Sequence, residues 1–156
     1  MESITVQNPA TGESITTVPV DSAETVAETV ARVRANQASW EALGFKGRRE
    51  WLNKLRDWLL DNSDRVADTL QAETGKVRAE AMIETPYLAD QINFYGTKAE
   101  KFLGEQKVRP NSLLAASRKL RLRYQPFPVV GLISPWNFPL VLSLGDAIPA
   151  LSLIHI

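Results

Sequence analysis

One run of eleven residues holds the densest chemistry in this chain: Val129-Val130-Gly131-Leu132-Ile133-Ser134-Pro135-Trp136-Asn137-Phe138-Pro139. An apolar stretch, a proline-bounded turn, a polar side chain at its apex and a helix start follow one another. Such an arrangement lets a buried strand deliver one side chain to a site at its carboxyl end. Ser134 precedes a proline and is biased to extended geometry, while Pro139 suits the first turn of a helix. Asn137 then has two readings. It caps the helix that begins at Phe138, or its carboxamide donates to a ligand beyond the strand end, where open α/β sheets bind cofactors. Local sequence favours the cap, and the two are compatible because a helix N-terminus is itself electropositive. Trp136 reads as a core aromatic closing the turn rather than a stacking platform. Trp40, Trp51 and Trp58 fall on helical stripes and read the same way.

Other chemistries are excluded or weak. There is no cysteine among the 156 residues, so disulfides, thiolate metal sites and a cysteine nucleophile are absent from the chain itself. The single histidine, His155, reads as an inert tail residue. Glu73-Thr74-Gly75-Lys76 invites a phosphate-loop reading, but that motif needs glycine at 70 and Ser or Thr at 77, where Leu70 and Val77 stand. A helix stop is the better reading. No G-x-G-x-x-G occurs. Carboxylates are scattered with no spacing that argues for acid–base work. Lys plus Arg and Asp plus Glu number 18 each, so the basic excess of a nucleic-acid or anionic-membrane binder is missing. No apolar run approaches the roughly 18 residues of a membrane span, and Met-Glu-Ser-Ile-Thr-Val-Gln is no secretory leader. A cytoplasmic protein with no nucleic-acid partner and no membrane partner is expected.

Residues 4–20 predict two short strands around an Asn8-Pro9…Gly12 loop. Asp21 or Ser22 caps a first helix to about Leu43, with Ala23, Val26, Val30 and Val33 on one face and Gly44 and Gly47 interrupting it. A second helix over about 48–62 carries the stripe Trp51, Leu52, Leu55, Trp58 and Leu59. A third starts at Asn62 or Ser63, buries Val66, Ala67 and Leu70, and stops at Gly75-Lys76. A long fourth helix over about 77–103 buries Ile83, Leu88, Ile92, Tyr95 and Phe102, with Pro86 kinking or breaking it. Residues 104–117 read as loop. Lys119–Tyr124 alternates strictly and predicts a half-exposed strand, its Arg118–Arg123 charges a solvated face or subunit contact. Val129–Ser134 predicts a strand buried on both faces, and Leu140–Leu153 a helix interrupted by Gly145 and Pro149.

Taken in order, these segments resemble the N-terminal part of the aldehyde dehydrogenase superfamily over about residues 4–151. The likeness runs from Asn8-Pro9-Ala10-Thr11-Gly12-Glu13 through Arg48…Leu52 and Glu73-Thr74-Gly75-Lys76, and peaks at Pro126 to Pro139. The resemblance implies an α/β fold: the helical N-terminal part of a Rossmann-like cofactor-binding domain with a β arm, truncated before most of the parallel sheet. Residues 1–107 would be the hairpin and helices of that domain, 108–126 a strand of the oligomerisation arm, and 127–156 the first core strand, the Pro-Trp-Asn-Phe-Pro turn and a truncated helix. It also implies oxidation of a small-molecule aldehyde to a carboxylic acid with NAD or NADP, through a thiohemiacetal on a cysteine that this chain lacks. Asn137 would donate to the developing oxyanion, and Ile133, Ser134, Pro135, Trp136 and Asn137 would lie against the cofactor. The full-length enzyme would be a homo-oligomer joined through the arm. Ser152-Leu153-Ile154-His155-Ile156 does not resemble the family, so an N-terminal piece, inactive alone, is expected. The rival expectation is a non-catalytic fragment that binds a partner.

Overall fold

A computed structural model describes residues 2–152 of the chain, which leaves His155 and its neighbours outside the described residues. The Asn8 loop satisfies its own backbone. Gly12 N–H donates to Asn8 O at 2.7 Å, and Ala10 N–H donates to Asn8 Oδ1 at 2.9 Å. It joins β1 (Ser3–Gln7) to β2 (Ser14–Pro19) as an antiparallel hairpin with a register shift between Val6 and Gln7. Ser22 caps α1 (Ala23–Ala42), its hydroxyl accepting from Thr25 N–H at 3.2 Å. Gly44, at φ +64°, breaks the chain into α2 (Gly44–Asp61), so α2 starts a turn earlier than its periodicity predicts and runs through Gly47. Then come α3 (Ser63–Thr74) and α4 (Arg78–Leu103).

The core lies where α2, α4 and α5 (Pro139–Ser152) meet: Leu52, Leu59, Leu88, Ile92 and Ile148 are buried together, with Leu55, Tyr95, Leu144 and Leu151 packed against them. Each fully buried side chain of this size contributes about 1.5–3 kcal/mol. Ala67, Leu70 and Ala81 form a smaller cluster between α3 and α4. A second hairpin, β3 (Gln106–Val108) with β4 (Leu120–Leu122), stands apart as an arm, with Leu113 and Leu114 at its tip about 95% and 94% exposed. Arg121 and Arg123 both pair with Glu105 across this hairpin, which offsets part of that basic charge.

Several expectations need correction. The Val129–Ser134 segment forms no strand among the described residues, and Ile133 is fully exposed. A strand needs a neighbour to accept its ladder bonds, and both sheets of the described chain are separate two-stranded hairpins. Strand β4 is exposed throughout rather than half-exposed. Trp51 and Trp58 are 54% and 50% exposed, and Ile83 and Phe102 also face outward, because the buried side of each helix is set by the positions flanking them, Leu52 and Leu59 or Leu88 and Ile92. Helix α1 buries no residue; of its predicted face, Ala23 and Val26 are exposed. Helix α4 runs through Pro86 over the expected length, but neither Gly145 nor Pro149 interrupts α5.

The α3 stop is Gly75 at φ +71°, whose N–H donates to Gln71 O at 2.9 Å. A Cβ here would stand 2.9 Å from Pro9 Cγ of the first hairpin. Gly75→Ala is therefore expected to destabilise the chain by about 1–2 kcal/mol through left-handed backbone strain, with the Pro9 contact adding to it. Urea denaturation reads the loss, and Pro9→Ala in the Gly75→Ala background should recover the contact part alone.

Candidate functional site

The turn at Asn137 is held from both sides by the junction of α3 and α4. Before it, Trp136 Nε1–H donates to Glu73 O at 3.4 Å. After it, the Phe138 ring lies 3.9 Å beneath Lys76 Nζ. Leu140 and Val141 N–H, two of the donors that a helix start leaves unpaired, both donate to Glu84 Oε2, at 3.1 and 2.9 Å. Glu84 Oε1 in turn accepts from Lys76 Nζ at 2.6 Å; the Glu84 carboxylate is fully buried and the Lys76 side chain only 7% exposed. The negative charge sits at the positive end of the α5 dipole, where it is favoured.

Asn137 is thus not the cap that local sequence favours. Glu84 takes that role, and the Asn137 side chain is exposed, with no hydrogen bond to the described residues. Ser134 is half-buried, while Ile133, Pro135 and Trp136 are exposed, so Trp136 is not the core aromatic expected of it. The main chain of residues 129–135 has no hydrogen-bond partner among the described residues. Trp136 lines one edge of an apolar hollow with Trp58, Leu70, Glu73 and Leu144; Asn137 does not line it.

The far end of α5 is held by the opposite charge. Arg48, 2% exposed, donates from Nε to Ser152 O at 3.3 Å and from Nη1 to Glu41 O at 3.2 Å. Trp40 Nε1–H donates to Leu151 O at 3.0 Å. Burial pulls the Arg48 pKa below its ordinary value, and the nearby Glu41 charge opposes that. Sequence reading missed Glu84 altogether and assigned Arg48 no role. The signal lay in their positions: Glu84 falls between Ala81 and Leu88 on the buried stripe of α4, and Arg48 stands four residues before Leu52 on that of α2. The Glu73-Thr74-Gly75-Lys76 run is a helix stop, as expected, but its Lys76 and its Glu73 carbonyl also grip the turn.

Among the described residues no group of three or more His, Asp or Glu could hold a metal ion, and no helix is long and apolar enough to cross a membrane. The candidate site is a proline-bounded turn that presents an exposed carboxamide at a buttressed helix start. The aldehyde dehydrogenase family model matches residues 1–153, and the chain belongs to that family. It is 39% identical over 141 residues, 90% of its length, to a Mycolicibacterium smegmatis protein named "Putative succinate-semialdehyde dehydrogenase", NADP(+), of which it covers 27%. It superposes on an aldehyde dehydrogenase from Brucella melitensis biovar abortus 2308 with a TM-score of 0.91 and 31% identity, covering 99% of this chain and 31% of that one. PnpE, solved in complex with nicotinamide adenine dinucleotide, gives a TM-score of 0.89 at 28% identity, covering 99% and 31%. The chain therefore spans less than a third of the length of these relatives.

Proposed function

We propose that this chain serves an enzyme that oxidises an aldehyde to a carboxylic acid with NAD or NADP, and that Asn137 is one of its oxyanion donors. The observation that carries this reading is the free Asn137 carboxamide between neighbours that are tied down on both sides. A donor held in place before the reaction costs no reorganisation when negative charge develops on the aldehyde oxygen. The chain's part in the chemistry is to fix the backbone on either side of that amide and to present residues 133–136 beside it.

Those residues fit a nicotinamide cofactor: they offer exposed apolar side chains and unpaired main-chain groups where a flat ring and ribose could rest. Ile133, Ser134, Pro135, Trp136 and Asn137 would hold it, and the cofactor would accept the hydride removed from the substrate. The names of the relatives support NADP or NAD, and the Mycolicibacterium smegmatis name supports a semialdehyde as substrate. The exposed arm supports assembly into a homo-oligomer, and zero net charge argues against nucleic-acid partners.

The experiment is a hybrid in which this chain replaces the matching stretch of the Mycolicibacterium smegmatis relative. It is expected to form NADPH from NADP+ and succinate semialdehyde, followed at the nicotinamide absorbance. The 156-residue chain alone is expected to form none, since it has no cysteine. A folded hybrid that binds NADP+ but turns over no aldehyde would sink the reading, as would turnover by the isolated chain.

A further inference from the structure

We propose that Glu84 is a positioning residue: by capping α5 from another helix, it keeps the Asn137 carboxamide free to face a ligand. The inference rests on the reading of Asn137 as a donor and names what enforces it.

A helix that begins at Pro139 has Phe138 at its cap position, and Phe138 has no side-chain acceptor. The closest polar side chain in sequence on that side is Asn137, and Asn readily accepts from backbone N–H groups two or three residues on. Left to itself, Asn137 would turn inward and bond Leu140 N–H. Glu84 removes the need, because its Oε2 takes both Leu140 and Val141 N–H. Its other oxygen accepts from Lys76, which also covers the Phe138 ring. The cap arrives from a residue 56 positions earlier in the chain, and the carboxamide is spared.

Nuclear magnetic resonance on the full 156-residue chain, labelled with ¹⁵N at asparagine and the backbone, tests this. In the unmodified chain, no nuclear Overhauser effect is expected between the Asn137 side-chain amide and Leu140 N–H. Observing one would show Asn137 already capping and overturn the proposal whatever the variants do. Glu84→Met keeps the volume but removes the acceptor. It is expected to shift both Asn137 side-chain amide signals and to speed exchange of the Val141 amide about tenfold, the loss of one ordinary hydrogen bond. Glu84→Gln combined with Lys76→Met keeps an acceptor without the cation and should leave the Asn137 signals in place, which a merely structural role would not predict. Unmoved Asn137 signals in a folded Glu84→Met chain would also refute the idea. None of these readouts involves turnover, so they stand or fall separately from the proposed activity.

Discussion

Asn137→Ala in the active hybrid is expected to lower kcat about 10²- to 10³-fold, the usual cost of removing one preorganised oxyanion donor. The expectation follows from geometry. The side chain is exposed and makes no bond to the described residues, so its removal should leave the fold and the α5 cap untouched. The loss should therefore fall on kcat and on kcat/KM alike, with thermal stability unchanged, because the interaction is made only as charge develops. Asn137→Asp is nearly the same size yet places a negative charge beside the developing oxyanion, so it should be at least as slow. Steady-state kinetics with succinate semialdehyde, paired with a melting curve, decides the matter. A change in KM alone would mean that Asn137 binds substrate rather than stabilising the transition state.

Arg48→Met should cost about 3 kcal/mol, among the larger effects of single substitutions. Arg48 is buried, and the groups that it serves are backbone carbonyls of Ser152 and Glu41. Replacing a buried ion pair with apolar residues can be neutral when both partners go. Here the acceptors belong to the main chain and cannot be removed, so methionine leaves two carbonyls without their charged donor. Arg48→Lys should fall between, since a single ammonium cannot reproduce the fork that spans both carbonyls. Urea denaturation of the chain is the measurement: the midpoint should drop with little change in slope. A shift of less than about 0.5 kcal/mol would place Arg48 with ordinary surface substitutions.

What the residues disclosed in advance divides by the range of the interactions. The Asn8-Pro9…Gly12 turn, the Ser22 cap and the Gly75 stop are each settled within a few positions, and each stands where sequence put it. The family likeness was legible too, because the Pro126–Pro139 run is specific in type and order. Val129–Ser134 forms no strand among the described residues because strand formation depends on a neighbour that no local pattern supplies. Asn137 is not the cap for a related reason: Phe138 offers the helix start no acceptor, Asn137 is adjacent, and the group that answers comes from Glu84 in another helix. Arg48 reaches still farther, bonding a carbonyl 104 positions along. Helical spacing puts Trp51 and Trp58 on one stripe with Leu52 and Leu59, yet only the leucines turn in.

The opposite charges at the two ends of α5 also index that helix along its axis. A slip of one turn, about 5.4 Å, would uncouple Glu84 from Leu140 and Val141 and Arg48 from Ser152 in the same movement. Gly145 and Pro149 weaken the helix internally but give it no alternative register. The position of Asn137 is therefore referenced to the Ser152 end as well as to its own turn.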